Sequence, residues 1–264
     1  MSNSALTQPS VKRATLKGEP TELNGMLFYG LTMNQYEEWQ SDKSVLLARQ
    51  STLPVFCLTM PFIDALFALD LASVEQNHEL AGVMNHILHV LGMAMRLPPD
   101  CVKNRQLGLV THQMELKGFF VNPDGLQQQF IPKELFPQIR QIIAWQQGED
   151  VPDESLNDEL LEDEKWIAQR NGANLDFNLD SLLASVALNT HSKIKDVYDM
   201  TILEFEMMRS AIDRDKKYTI CGIAENNGTK WKGGNPYPSW CFDRKKAESR
   251  TLTHVSRFEG IAQK

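Results

Sequence analysis

Three segments of this sequence carry the pattern of a capping box, in which Ser or Thr begins a helix and Glu or Gln follows three residues later. The three boxes run over residues 32–35, 73–76 and 201–204. Apolar residues at helical spacing follow each box, so the boxes predict helices over residues 33–50, 74–97 and 202–215. Similar spacing predicts further helices over residues 62–71, 133–147, 179–188 and 194–200. The chain is therefore predicted to be mainly α.

Between residues 106 and 131 the pattern changes from helical spacing to β-favouring residues. The sequence Asn122-Pro123-Asp124-Gly125 interrupts this region and is a strong turn signal. We therefore expect a small β-hairpin or a three-stranded meander here. The predicted fold class is mainly α, with one or two helical domains and this small β element.

Composition along the chain predicts three regions. Residues 1–20 are polar and rich in turn formers, and we expect a flexible arm there. Residues 21–147 form an N-terminal helical region that contains the hairpin. Residues 148–264 form a C-terminal helical region with a basic, aromatic tail. The boundary falls at an acidic stretch, residues 148–164, which holds nine acids and no base and is typical of a solvated helix face.

The charge distribution limits the partners that this chain can have. The net charge is −7, so the whole molecule lacks the basic footprint of a nucleic-acid or anionic-membrane binder. The most apolar window, residues 80–95, is too short and too polar to span a membrane. Residues 216–250, however, hold eight bases and three acids. This basic segment is expected to contact the acidic stretch, either within one chain or head to tail between copies.

A loop in the basic tail carries large aromatic side chains. The sequence GGNPYPSWCF, residues 233–242, has too many glycines and prolines for a regular helix or a central strand. Aromatic side chains gain free energy when they are buried, so we expect the loop to pack on helices of its own chain or on a partner. The predicted partner-binding residues are Tyr198, Phe205, Trp231, Tyr237, Trp240 and Phe242.

Histidines offer the one metal-binding pattern that we considered. His86 and His89 lie three residues apart on a predicted helix, and His78 lies two turns earlier. No Glu or Asp follows at a useful spacing, so a polar edge on a core helix is the favoured interpretation. Phosphate-binding loops, nucleophile elbows and CxxC pairs are all missing from the sequence. We therefore predict no enzyme activity, no catalytic residue, no metal and no cofactor.

The C-terminal half resembles a family of tailed-bacteriophage proteins. The resemblance rests on VYDMTILEF at residues 197–205, GNPYPSW at residues 234–240 and IPKELFPQIRQIIAWQQ at residues 131–147. It covers roughly residues 105–243. It implies a virion structural or tail-assembly protein, chaperone-like, that acts through protein–protein contacts with phage tail proteins such as the tape measure or the tail tube.

This resemblance leads to our functional expectation. We expect a non-enzymatic tail-assembly or tail-structural protein that works in the host cytoplasm during assembly and is either released or kept in the virion. Self-association is an additional expectation, and a membrane partner is not expected. Two alternatives stay open: a metal-dependent enzyme using His78, His86 and His89, and a nucleic-acid-binding module using the basic tail.

Overall fold

The computed structural model describes residues 6–75, 82–123, 128–154, 178–231 and 234–242. Contacts divide the chain into two compact units: unit 1 holds residues 1–152 and 198–205, and unit 2 holds residues 153–197 and 206–264. Several predictions fall on residues outside these ranges: the solvated helix face of the acidic stretch from residue 155 on, the turn at Asp124-Gly125, the position of His78, and the basic residues after 242.

Unit 1 combines helices with two small antiparallel sheets. Its elements are α1 (Gln8–Leu16), β1 (Thr21–Leu23), β2 (Met26–Phe28), α2 (Tyr36–Leu46), α3 (Phe62–Glu75), α4 (Val83–Ala94), β3 (Leu107–His112), β4 (Glu115–Val121), β5 (Gln129–Pro132) and α5 (Phe136–Gln146). Three helices follow in the chain: α6 (Leu179–Thr190), α7 (Ile194–Tyr198) and α8 (Ile202–Asn226). Helix α6, most of α7 and residues 206–226 of α8 belong to unit 2. The predicted class, mainly α with a small β element, is confirmed.

The meander over residues 107–132 has the strand order β3-β4-β5. Phe119 in the central strand pairs with Leu109 on one side and with Ile131 on the other. Phe119, Val121 and Ile131 are fully buried. Alternate residues of a strand point to the same face, so one face of the sheet packs on the helical core.

Residues 198–205 return to unit 1 and pair with the segment before α2. The amide of Met33 donates to the carbonyl of Met200 at 2.9 Å, and the amide of Ile202 donates to the carbonyl of Leu31 at 2.8 Å. Between these bonds Thr32 and Thr201 form an antiparallel bridge. The two threonines are also the first residues of the predicted capping boxes at residues 32–35 and 201–204, and both boxes are confirmed.

Buried polar side chains join α5 to the rest of unit 1. The guanidinium of Arg140 donates to the carbonyls of Leu46 and Ala48, each at 2.7 Å, and lies 3.7 Å from the ring centre of Phe62. It thereby satisfies carbonyls at the end of α2. The side-chain amide of Gln146 donates to the carbonyl of Phe28 at 2.8 Å. These bonds fix α2 and the β1–β2 hairpin against α5.

The structure corrects three of the sequence predictions. Residues 8–16 form α1, which buries Val11 and Thr15 against α5, where a flexible arm was expected. Ser73 lies inside α3 and does not begin a helix. Helix α8 continues to Asn226, eleven residues beyond the predicted end. Two buried residues make too short an apolar stripe to recognise α1 in the sequence, and the charged run after Ile212 hides the second half of α8.

Within the described part of the chain, none of the helices combines the length and the hydrophobicity that a membrane span requires.

Candidate functional site

The six aromatic residues predicted to bind a partner do not form one cluster. Phe205 is fully buried in unit 1, so its side chain cannot reach a partner in this conformation. Tyr198, also in unit 1, is partly buried, and its carbonyl accepts a hydrogen bond from Asn34 at 3.1 Å. The remaining four residues belong to unit 2. Trp231 and Tyr237 are partly buried there, whereas Trp240 and Phe242 are exposed.

The aromatic loop over residues 234–242 packs on α8 of its own chain. The side chain of Asn235 donates to Glu225 at 2.9 Å, and the guanidinium of Arg214 donates to the carbonyl of Cys241 at 3.3 Å. The ammonium of Lys217 lies 5.3 Å from the ring centre of Tyr237, within the range of a cation–π contact. Three side chains of α8, spread over about three turns of the helix, therefore hold the loop.

Lys217 is fixed between an acid and an aromatic ring. Its ammonium donates to the carboxylate of Asp213 at 2.5 Å, one helical turn earlier. The hydrogen bond to Asp213 raises the pKa of Lys217 above its ordinary value, and the hydroxyl of Tyr237 contributes in the same direction. The ammonium therefore stays charged at neutral pH, and the contact with Tyr237 persists.

Although the aromatic loop packs on α8 of its own chain, several large apolar side chains of unit 2 stay exposed to solvent. Trp240 is 62% exposed and Phe242 is 74% exposed. On α8, Ile220 is 65% exposed and Ile223 is 56% exposed, and their spacing of three residues places them on one side of the helix. We call these four residues the exposed apolar set. Ile220 and Ile223 are neighbours on α8, and contiguous exposed apolar groups are typical of interaction sites, whereas single ones are common on any protein surface.

Unit 1 contains an apolar cleft of about 420 Å³ between the start of α3 and the start of α5. The rings of Phe62 and Phe136, whose centres are 6.5 Å apart, form part of its wall. An ion pair of Asp64 and Lys133, 2.7 Å between charged atoms, lies in the lining. The volume falls within the range of small-ligand pockets and also suits one large apolar side chain.

A histidine pair in unit 1 shares one carboxylate. Nδ1 of His86 lies 2.6 Å from Oδ1 of Asp42, and Nδ1 of His89 lies 2.6 Å from Oδ2 of the same residue. Asp42 is buried, 4% exposed, whereas both histidines are partly exposed. An ionised carboxylate can only accept hydrogen bonds, so each Nδ1 carries a proton and donates. The cluster thus joins α2 to α4.

Asp42 is the site residue that sequence reasoning missed. It lies 44 and 47 residues before the two histidines, on another helix, so no local spacing could reveal it. One signal was present: Trp39, Asp42 and Leu46 follow helical spacing and are all buried. An acid within the apolar stripe of a helix is expected to have a polar partner.

The four cysteines are unpaired thiols. Burial raises the pKa of the Cys57 and Cys101 thiols, so little thiolate is present on either at neutral pH. Because the thiolate is the nucleophile, these two residues are poor candidates for covalent chemistry.

Among the residues that the structure describes, no group of three or more His, Cys, Asp or Glu side chains has the arrangement of a metal centre. The two carboxylate oxygens of Asp42 accept hydrogen bonds from Nδ1 of His86 and Nδ1 of His89. Comparisons with protein-family models, with curated proteins and with solved structures found no match to this chain.

Proposed function

We propose that this chain is a non-enzymatic tail-assembly protein of a tailed bacteriophage, which keeps a tail component soluble in the host cytoplasm until the component is assembled. The observation that carries the proposal is the exposed apolar set of unit 2: Ile220, Ile223, Trp240 and Phe242. The sequence resemblance over residues 105–243 points to the same class of protein.

The partner that this chemistry fits is a long helical protein with apolar side chains, such as a tape measure. An apolar helix docks on an apolar surface through residues three and four positions apart, which is also the spacing of Ile220 and Ile223. Burying an isoleucine side chain contributes roughly 1.5–3 kcal/mol, so a few such contacts suffice for reversible binding. Reversibility is what a chaperone needs, since its client must be released.

The aromatic loop holds Trp240 and Phe242 in a fixed conformation. Pro236 and Pro238 restrict the backbone, and Asn235 accepts a hydrogen bond from the amide of Tyr237 at 2.8 Å. Since the loop is already held on α8, the protein loses little conformational entropy when a client contacts Trp240 or Phe242.

Co-expression with the tape-measure protein encoded by the same phage tests the proposal. We expect the wild-type chain to raise the soluble yield of the tape measure and to co-elute with it. The double variant Ile220→Asp/Ile223→Asp should lose both effects, because a carboxylate would be buried in the contact. Ser210→Asp is the matched control: it adds a charge to an exposed position of the same helix, ten residues before Ile220, and should leave both effects intact.

Two results would contradict the proposal. One is a tape measure that stays insoluble beside the wild-type chain while both proteins are well expressed. The other is equal rescue by the wild type and by the isoleucine double variant.

A further inference from the structure

We propose that His86 and His89 together bind one divalent late transition-metal ion, such as Zn²⁺ or Ni²⁺, through their Nε2 atoms, with Asp42 orienting both rings from behind. This site is independent of the tail-assembly function. It differs from a three-ligand centre because two histidines supply the protein ligands and water completes the coordination.

The first argument is the tautomer of the two rings. Each Nδ1 lies 2.6 Å from an oxygen of Asp42 and donates its proton there. A neutral imidazole with a proton on Nδ1 has its lone pair on Nε2, which is the atom that binds metals. The contacts with Asp42 therefore leave Nε2 as the ring nitrogen through which each neutral histidine would bind a metal.

The second argument is the second-shell carboxylate. Metal-binding histidines nearly always donate their other ring N–H to a carboxylate or a carbonyl, which fixes the ring and makes the bound nitrogen more basic. Here one buried carboxylate does this for two rings at once.

The third argument is access and spacing. The side chains of His86 and His89 are 44% and 43% exposed, so solvent reaches both rings although Nδ1 of each faces the buried aspartate. Residues at i and i+3 of a helix are neighbours on its surface. Imidazole nitrogens suit Zn²⁺, Ni²⁺ and Cu²⁺ and do not suit Mg²⁺ or Ca²⁺, which prefer oxygen ligands.

The test is a calorimetric titration of the untagged full-length protein with Zn²⁺ at neutral pH, repeated with Mg²⁺. We expect one zinc site, and no heat from Mg²⁺ that depends on the histidines. His86→Ala and His89→Ala should each weaken zinc binding at least about tenfold. Asp42→Asn keeps both ligands and should weaken it by about 10- to 100-fold, as outer-shell changes do.

The matched control is His112→Ala, which removes an exposed histidine at the end of β3 and should leave zinc affinity unchanged. Circular dichroism of each variant shows whether it is folded. If Asp42→Asn does not fold, the histidine variants and the visible absorption spectrum of bound Co²⁺, which reports its ligands, still test whether His86 and His89 bind the metal. Zinc binding that survives in the double variant His86→Ala/His89→Ala would overturn the proposal. So would the absence of binding by the folded wild type.

Discussion

At the scale of single residues, Gly118 has a backbone conformation that other residues adopt only with strain. Its φ is +154°, and a β-carbon at this position would lie 2.0 Å from the carbonyl oxygen of Ile131 on the neighbouring strand. A contact that short forces β4 and β5 apart. The meander thus depends on one glycine in its central strand.

Gly118→Ala is therefore expected to destabilise the protein by at least about 2 kcal/mol, through lost strand pairing and backbone strain. Gly222→Ala is the matched control. Apart from its chain neighbours and the nearby backbone of α8, no atom of the described residues lies within 4 Å of the position that a β-carbon on Gly222 would take. Alanine there should stabilise the helix by about 0.5–1 kcal/mol. Urea denaturation followed by circular dichroism measures both changes, and equal effects of the two substitutions would contradict this account.

At the scale of elements, the true capping box at the start of α8 can be distinguished from the same sequence pattern at Ser73, which does not cap a helix. The hydroxyl of Thr201 accepts a hydrogen bond from the amide of Glu204 at 3.2 Å, and the carboxylate of Glu204 accepts one from the amide of Thr201 at 2.8 Å. Ser73 has the same local sequence pattern but lies inside α3.

Thr201→Ala should therefore cost about 1 kcal/mol of stability, the usual value for a lost N-cap. Ser73→Ala should change stability little, because alanine is the better helix former in a helix interior. Thermal denaturation of the two variants beside the wild type gives the comparison. A larger loss for Ser73→Ala than for Thr201→Ala would mean that the serine hydroxyl has a role that its position in α3 does not suggest.

These elements also show how far sequence reasoning reaches. The boxes at Thr32 and Thr201 were predictable because both partners of each box lie within four residues, and the meander was predictable because its turn signal is local. The box at Ser73 failed because the same spacing also occurs inside helices. The link between Asp42 and the histidines of α4 could not be predicted, because packing of two helices brings together residues more than forty positions apart.

At the scale of the whole molecule, the chain leaves unit 1 at Pro152 and returns to it for residues 198–205. The returning segment contributes Ile202, Leu203 and Phe205 to the buried core. Unit 1 is therefore completed by a segment that lies some fifty residues beyond the rest of its sequence. This explains why Phe205, part of the motif VYDMTILEF, is not available to a partner.

Phe205→Ala should lower the free energy of unfolding of unit 1 by roughly 3–5 kcal/mol, the usual cost of removing a buried phenylalanine ring. Phe242→Ala, which removes an exposed ring in unit 2, should leave that stability unchanged. Hydrogen exchange read by mass spectrometry can follow unit 1 alone, through peptides that contain the amide of Met33, which is bonded to Met200. We expect this amide to exchange faster in Phe205→Ala and at the wild-type rate in Phe242→Ala. That result would show that the ring of Phe205 stabilises unit 1 and that the ring of Phe242 does not. Unchanged exchange in Phe205→Ala would instead contradict this account, because it would show that the bond between Met33 and Met200 holds without the buried ring.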